Sequence, residues 1–260
     1  MSTDGNLMLT CNDLNVEVPG RLLVEKLELK VATGAFVAVL GQNGAGKSLT
    51  LHTLAGLRPP AAGSVALHEA NLASLPRKDI ARQLALLPQH SDDAFPATVF
   101  DTALAGRHPH VPPLQWEGPE DREIVLGCLQ RVDLATLHAR DVATLSGGER
   151  RRVAIAQTLA QQPQLYLLDE PTNHLDPQHQ LDVLKVFRGE TQRGGTVIAS
   201  LHDVNLAVRF ATDCLLLFGD GRWEFGPTQQ VLTSDTLSSL YATSMDAVEW
   251  RGNTLFFASG

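Results

Sequence analysis

The sequence predicts an α/β fold in which a buried, largely parallel β-sheet carries helices on its faces. The main observation is that short apolar runs of strand length recur, with helix-like segments between several of them. The second is that the opening segment alternates polar and apolar residues, which is typical of antiparallel strands. The apolar runs are Phe36–Leu40, Leu84–Leu87, Leu165–Leu168, Thr196–Leu201 and Leu215–Phe218.

The alternating segment, residues 7–31, is interrupted by Pro19-Gly20, and this pattern predicts an antiparallel hairpin. Residues 92–145 have a first half broken by prolines and then a helical run over residues 120–132, so we expect a helical insertion subdomain there. A turn at Gly219-Asp220-Gly221 precedes a short tail, residues 220–260, with a small helix. We therefore expect residues 1–260 to form a single domain that contains an N-terminal antiparallel β subdomain and the helical insertion.

Composition narrows the class of protein. The 260 residues are 43% hydrophobic and 19% charged, as in ordinary globular proteins. The formal net charge of −8 argues against a broadly basic nucleic-acid binder. The three cysteines lie far apart and form no metal-ligand or disulfide pattern, which fits a reducing compartment. No apolar run approaches the roughly 18 residues of a membrane span, and the start, Met1-Ser2-Thr3-Asp4-Gly5, does not resemble a secretory signal.

A glycine-rich loop with the pattern GxxxxGK[ST] follows the first apolar run and precedes a predicted helix over residues 47–57. In this strand–loop–helix context, backbone N–H groups and the helix N-terminus bind phosphate oxygens. Lys47 can reach the β- and γ-phosphates of a nucleotide, and the Ser48 hydroxyl can ligate Mg²⁺. The pattern predicts a P-loop NTPase with candidate ATP contacts at Gly41, Asn43, Gly44, Ala45, Gly46, Lys47, Ser48 and Leu49.

Two carboxylates, Asp169 and Glu170, follow the apolar run Leu165–Leu168. At the tip of a strand beside a phosphate loop, Asp169 is expected to hold Mg²⁺ directly or through water. Glu170 then points to the other side of the pleat, where it can position or deprotonate an attacking water. A solvated loop start has the same sequence pattern, and it is the phosphate loop that favours the catalytic interpretation.

A second anion-binding turn is predicted at Leu145-Ser146-Gly147-Gly148-Glu149, before a predicted helix over residues 150–160. One chain with two phosphate-binding helix ends invites an arrangement in which nucleotide lies between two copies. In this order the motifs resemble those of the ATP-binding subunit of an ABC transporter, from about Leu9 to Gly226. The lone cassette and the segments 106–110, 145–157 and 175–180 most resemble the importer group for iron chelates, haem and cobalamin.

The resemblance implies roles for further residues. Gln89 resembles the glutamine that senses Mg²⁺ and the γ-phosphate, so it joins Ser48 and Asp169 as a candidate metal ligand. His202 resembles the histidine that contacts the γ-phosphate, and Asp176 lies in a segment that communicates between two sites. Asp176 also precedes a proline, which makes it a good helix N-cap, and both interpretations can hold together. The residues implied to bind the ATP held by the other copy are Ser146, Gly147, Gly148 and Glu149.

The resemblance also implies partners. A head-to-tail homodimer would close on ATP and Mg²⁺ and reopen after hydrolysis. This motion would drive two transmembrane permease subunits through the surface near Gln89 and residues 92–115, with cargo delivered by a periplasmic or surface substrate-binding protein. The chain would lie peripherally on the cytoplasmic face of the inner membrane. Its acidic balance predicts no nucleic-acid partner.

Two alternatives come from other classes of protein. One is a cytosolic ABC ATPase that acts on ribosomes or DNA, but the chain has neither a second cassette nor a long coiled coil. The other is a P-loop kinase or GTPase. The sequence contains no NKxD motif for guanine, and neither class needs the Leu145–Glu149 turn.

Two features leave alternatives open. Arg150, Arg151 and Arg152 place three cations in a first helical turn, where the helix dipole prefers acids. They form a solvated face, or they strengthen the positive field of the adjacent turn or meet acids on a partner. Val18 aligns with the position where the family usually stacks an aromatic ring on adenine, and no Phe, Tyr or Trp lies between Met1 and Phe36. Adenine stacking must therefore be weak or come from elsewhere.

Overall fold

The computed structural model describes residues 6–90 and 96–259. The expectation about the start of the chain, residues 1–5, and the first positions of the insertion, 92–95, lie outside the described residues. The strands are β1 (Leu7–Val18), β2 (Arg21–Ala32), β3 (Phe36–Leu40), β4 (Ala62–Leu67), β5 (Ala70–Asn71), β6 (Leu84–Leu87), β7 (Leu165–Leu168), β8 (Thr196–Ser200), β9 (Asp213–Leu217), β10 (Trp223–Pro227), β11 (Met245–Trp250) and β12 (Asn253–Ala258). The helices are α1 (Lys47–Leu54), α2 (Arg77–Gln83), α3 (Val99–Leu104), α4 (Pro119–Arg131), α5 (Gly147–Ala160), α6 (Pro177–Gln192), α7 (Val204–Phe210), α8 (Thr228–Val231) and α9 (Ser234–Tyr241).

The main sheet has the strand order β10-β9-β3-β8-β7-β6. Neighbouring strands from β9 to β6 run parallel, whereas β10 is antiparallel to β9. Every residue of β3, β7 and β8 is buried, as the continuous apolar runs of a parallel sheet require. The predicted α/β class is confirmed, and the observed strands differ from the predicted ones by at most two residues at an end.

The strand order brings the candidate residues to one edge of this sheet. The phosphate loop follows β3, Asp169 follows β7 and His202 follows β8, and these three strands are neighbours. Parallel strands end at the same edge, where ligands of open α/β sheets bind. Three segments that lie far apart in the sequence therefore meet through the strand order alone.

A smaller antiparallel sheet has the order β2-β1-β4-β5. Its first hairpin, β1–β2, confirms the expectation from the alternating pattern and turns at Pro19-Gly20. Val18 and Arg21 are the register pair next to the turn, so their side chains lie on the same face of the hairpin. The sheet lies against the phosphate loop, because a Cβ added to Gly46 would be 3.2 Å from Cβ of Leu23 in β2.

Helices α3, α4 and α5 pack on one another and form the expected helical region. The prediction that the last of them begins at Arg150 was wrong, because α5 begins at Gly147. Ser146 is its N-cap: the Ser146 hydroxyl accepts the N–H of Glu149, and the Glu149 carboxylate accepts the N–H of Ser146. Helix α1 also ends earlier than predicted, since Gly56 leaves the helix with a φ of 66°. None of the helices in residues 6–90 and 96–259 combines the length and apolarity of a membrane span.

The tail packs back onto the rest of the chain. It contains the predicted turn and helix, and also the hairpin β11–β12, which sequence reasoning missed. Asn205 of α7 exchanges hydrogen bonds with both the N–H and the C=O of the buried Phe256 in β12. The 219–221 turn docks on β2, where the N–H of Glu25 donates to the C=O of Gly221 at 2.9 Å and the N–H of Gly221 donates to Leu23 at 3.3 Å. The turn at residues 219–221 therefore packs beside the β1–β2 hairpin.

We expect Gly106→Ala to lower the free energy of unfolding by about 2 kcal/mol through overpacking. Gly106 follows α3 and lies against α5, and an added Cβ would be 2.2 Å from the carbonyl oxygen of Gln157. The matched control is Gly127→Ala on the exposed side of α4, where a Cβ meets nothing within 4 Å. It should raise stability by about 0.5 kcal/mol, because glycine costs more chain entropy than alanine in a helix. Urea unfolding followed by circular dichroism measures both, and equal stabilities of the two variants would contradict the close approach.

Candidate functional site

The phosphate loop curls tightly between β3 and α1. Gly44 and Gly46 have φ values of 79° and 102°, a conformation that favours glycine. Lys47 folds back over its own loop, where Nζ donates to the carbonyl oxygens of Gly41 at 2.7 Å and Gln42 at 3.1 Å. Burial lowers the pKa of Lys47, and the negative charges of two nearby carboxylates oppose that shift. The ammonium is thus held next to the loop by carbonyl groups that a phosphate could replace.

The carboxylates after β7 are both buried, and the two residues that carry them contact one hydroxyl. Ser200, the last residue of β8, donates through Oγ to Oδ1 of Asp169 at 2.7 Å. The same Oγ accepts the N–H of Glu170 at 2.8 Å. The sequence analysis did not identify Ser200. The feature that could have pointed to it is a hydroxyl at the end of a largely apolar strand. Its two hydrogen bonds hold the carboxylate of Asp169 and the backbone of Glu170.

Glu170 is the centre of a polar cluster. Its Oε1 lies 2.7 Å from Nε2 of His202, and its Oε2 accepts a hydrogen bond from Nε2 of Gln89 at 2.8 Å. Nδ2 of Asn173 donates to the same Oε2. The structure thus brings together Glu170, Gln89 and His202, the three residues that we expected to be catalytic. Glu170 itself has a φ of 47°, which is uncommon for a residue with a side chain and is typical of functional sites.

Arg151 ties helix α5 to this cluster. Arg151 is buried, with 7% of the residue exposed, and its Nη1 donates to the carbonyl oxygens of Pro88 at 2.5 Å and Gln89 at 3.3 Å. Nη2 donates to the carbonyl oxygens of Asp169 at 2.6 Å and Glu170 at 2.8 Å. Burial lowers the pKa of Arg151 to about 10, against the opposing charges of the two carboxylates. The solvated-face interpretation is wrong for Arg151.

The two neighbouring arginines behave differently. Arg150 donates through Nε to the carbonyl oxygen of Leu145 at 3.2 Å. Nη1 of Arg152 donates to the carbonyl oxygens of Val132 and Asp133, which connects α5 to the end of α4. Arg151 is thus the cation whose hydrogen bonds within residues 6–90 and 96–259 reach the backbone of the candidate catalytic residues Gln89 and Glu170.

A cavity of about 600 Å³ opens above the phosphate loop. Its lining residues are Val18, Arg21, Leu23, Asn43, Gly44, Gly46, Lys47, Ser48, Leu49, Gln89, Glu170, Asn173 and His202. Three of the residues that we expected at the phosphate loop or at the metal do not line it. Gly41 and Ala45 lie beneath the loop against the backbone of Leu217 and Gly219, and Asp169 is buried behind Glu170. The remaining loop residues, together with Gln89, Glu170 and His202, share this one cavity.

The donors around the cavity fit a magnesium ion. Ser48 and Gln89 line the cavity with a hydroxyl and an amide oxygen, Asp169 adds a buried carboxylate next to Glu170 in the chain, and Mg²⁺ prefers such oxygen ligands. Each of these donors belongs to a different segment. A nucleotide phosphate would complete the set, as is usual for Mg²⁺ sites in phosphoryl transfer.

The Ser146–Glu149 turn lies outside this cavity. The hydroxyl and the N–H of Ser146 each donate to Oε2 of Glu149 at 2.8 Å, and these bonds lower the pKa of Glu149. Gly147 lines a different cavity, of about 390 Å³, beside Gln89 and Arg150. Gly148 approaches the carbonyl oxygen of His174. The turn therefore does not line the phosphate-loop cavity of its own chain.

Asp176 begins helix α6, as its place before a proline predicts. Its Oδ1 accepts the N–H of His179 at 3.0 Å, and its Oδ2 lies 2.7 Å from Nδ1 of the same residue. Both bonds lower the pKa of Asp176. The N-cap expectation is confirmed, and Asp176 does not line the cavity of the phosphate loop.

Comparison with known proteins decides the family. A model of the ABC transporter family matches residues 24–173. The chain belongs to the ABC transporter family. The hemin import ATP-binding protein of Gloeobacter violaceus is 43% identical over 222 residues, which cover 83% of this chain and 80% of that protein. A protein of Bacillus subtilis named as a probable siderophore transport system ATP-binding protein is 33% identical, covering 94% of this chain and 90% of that one.

A solved structure is similar over nearly the whole length. It is a chain of an inward-facing transporter assigned to the metal-chelate type of ABC transporter. Its TM-score to this chain is 0.86, its sequence identity is 29%, and the matched region covers 98% of each of the two chains. The P-loop NTPase fold is confirmed by this likeness. As an ATP-binding subunit of its family, this ABC protein is an ATPase.

We expect Arg151→Gln to lower kcat by roughly tenfold while KM for ATP changes by less than about twofold. The variant loses the guanidinium that fixes the backbone of Gln89 and Glu170, but it leaves the loop that binds phosphate intact. The matched control is Arg152→Gln, which removes the same charge from the same helix and should keep kcat. Steady-state ATPase assays measure both constants. A stability loss in Arg151→Gln with unchanged kcat would show that Arg151 is only structural.

Proposed function

We propose that this ATPase powers an importer, with an iron chelate, haem or cobalamin as cargo. The observation that carries the proposal is the convergence of Lys47, Glu170, Gln89 and His202 on one cavity at the carboxyl edge of the sheet. The names of its relatives support import of hemin or a siderophore, and the motif resemblance adds cobalamin. The cargo does not touch this chain in such a system, so its identity rests on the relatives.

In the proposed site, the triphosphate of ATP lies along the loop from Ser48 towards Glu170. Lys47 exchanges its carbonyl contacts for the β- and γ-phosphate oxygens. Ser48, Gln89 and Asp169 would hold Mg²⁺, and the chemistry it would supply is neutralisation of the charge on the phosphate oxygens. Glu170 orients a water for in-line attack and accepts its proton. His202, already within 2.7 Å of Glu170, orients the γ-phosphate and keeps the carboxylate in place.

We further propose that the 1–260 domain works as a head-to-tail homodimer. The support is that the Ser146–Glu149 turn, although a capped helix N-terminus, does not line the cavity of its own chain. A second copy can place this turn over the phosphate loop, where its N–H groups would bind the γ-phosphate. Asp176 would lie near the contact between the two sites. ATP then closes the dimer, and hydrolysis opens it.

The same proposal includes two transmembrane permease subunits, which would hold the chain on the cytoplasmic face of the inner membrane. A periplasmic or surface substrate-binding protein would act with them. The predicted docking surface lies near Gln89 and residues 92–115, of which the structure describes 96–115. Leu114 is fully exposed there, and Trp116, just after this segment, is 90% exposed. Large exposed apolar side chains of this kind are typical of protein interaction sites.

Glu170→Gln tests the hydrolytic role. We expect it to bind ATP but to hydrolyse it about 10²- to 10⁴-fold more slowly, because the amide cannot accept the proton of water. With hydrolysis blocked, ATP should hold the variant as a dimer in light scattering, whereas ADP should not. The control is Glu224→Gln on the exposed side of β10, which makes the same change of charge away from the cavity. Wild-type turnover in Glu170→Gln would reject Glu170 as the water-positioning residue.

A mixing experiment tests the shared site. A Lys47→Ala chain and a Ser146→Arg chain should each fail to dimerise with ATP, because both of their composite sites are damaged. A mixture forms heterodimers with one doubly damaged site and one intact site. ATP-dependent association should therefore recover in the mixture, measured by light scattering or by energy transfer between labelled chains. No recovery would mean that both motifs serve the nucleotide of the same chain.

A further inference from the structure

The cavity would hold the nucleotide base beside residues that carry no aromatic side chain. Lys47, Ser48 and Glu170 define the phosphate end, and Val18 lies on the hairpin beside the cavity. Among the described residues that line the cavity there is no Phe, Tyr or Trp. Valine offers a base only dispersion contacts and apolar area. A planar group that could stack on the base must therefore come from another residue of the wall.

We propose that the guanidinium of Arg21 is the stacking platform for the adenine ring. Arg21 lines the cavity and is the register partner of Val18 across the hairpin turn. Opposite residues of an antiparallel pair place their Cβ atoms about 5 Å apart on the same face. A base that rests on Val18 therefore lies within reach of the Arg21 guanidinium, which is planar, delocalised and weakly hydrated and stacks readily on π systems.

The guanidinium is fixed before any ligand arrives. Nε donates to the carbonyl oxygen of Gly219 at 3.1 Å, and Nη2 donates to the same oxygen at 2.6 Å. Both bonds lie in the plane of the group, so they leave its two faces for other contacts. Gly219 belongs to the turn that Gly221 joins to β2. The residue itself remains exposed. A long side chain usually loses conformational entropy when it orders on a ligand, but these two hydrogen bonds already order Arg21 in the free protein.

The position of the Arg21 guanidinium favours a contact with the nucleotide base over a contact with the phosphates. A Cβ on Gly219 would be 3.1 Å from Nη2 of Arg21 and 3.0 Å from Cα of Ala45, so the guanidinium and the phosphate loop both approach Gly219. The phosphate end already contains the Lys47 ammonium. Two of the Arg21 donors are turned to Gly219, which leaves the flat face as its contribution to the cavity.

The test compares ADP with inorganic pyrophosphate, which shares the phosphates but has no base, by calorimetry on the intact chain with Mg²⁺. Arg21→Ala should weaken ADP about tenfold and leave pyrophosphate within about twofold. Arg21→Lys should lose as much ADP affinity, because it keeps the charge but not the plane. Adding Val18→Tyr to Arg21→Ala should restore ADP binding. The control, Lys30→Ala, removes one exposed cation from the same strand and should change neither ligand.

Each other outcome overturns the proposal. Full ADP affinity in Arg21→Lys, or equal losses for ADP and pyrophosphate, would show that Arg21 acts through its charge on the phosphates. Unchanged ADP binding in Arg21→Ala would place the base elsewhere. Retained pyrophosphate binding also reports that each variant is folded.

The inference about Arg21 rests on the proposed ATP site, but failure of the inference and failure of the site give different results. A wild-type chain that binds neither ligand, or a Lys47→Ala chain that binds both ligands as well as the wild type does, would reject the site itself.

Discussion

The backbone around the candidate site depends on one buried guanidinium. Arg151 donates to four carbonyl oxygens that belong to the ends of two neighbouring strands, β6 and β7. A buried charge is costly unless it is hydrogen-bonded and balanced, and here the carbonyls supply the bonds while Asp169 and Glu170 supply the opposite charge. Because Arg151 is on α5, the helix that Ser146 caps, this helix connects the Ser146 turn to the backbone of Glu170.

The charges at the centre of the molecule balance without a ligand. Lys47 and Arg151 are buried cations, and Asp169 and Glu170 are buried anions. A triphosphate with its metal would enter beside this group and compete for Lys47, whose present partners are neutral carbonyls. The carboxylates would keep their own fixed partners, Ser200 and His202, during that exchange. The arrangement is therefore preorganised for negative charge at one end and for water at the other.

Features that local patterns encode could be predicted from the sequence. The continuous apolar runs, the Pro19-Gly20 turn and the glycine-rich loop each specify a structure within a few residues, and the structure agrees with them. The start of α5 could also have been found, since Ser146 and Glu149 have the spacing of a capping box. What could not be predicted depends on contacts between distant segments.

Arg151 shows why such contacts escape a reading of the sequence. It has the same charge as Arg150 and Arg152, and only the position of β6 and β7 beside α5 makes it the one that is buried on their carbonyls. Ser200 likewise gains its role from the strand next to it. The fixed plane of Arg21 needs a turn that lies 198 residues further along the chain. These are properties of the assembled sheet rather than of a segment.

The late position of that turn has a consequence for synthesis. The ribosome completes the hairpin and the phosphate loop early, but Gly219 follows Arg21 by 198 residues, or about 10–40 s of translation. The central strand β3 also waits for both neighbours, β8 and β9, which are translated in the same late interval. For most of its synthesis, the nascent chain therefore exposes the hairpin and the phosphate loop without the segments that pack against them. The sheet around β3 can therefore close only when β8 and β9, in the last third of the chain, have been made.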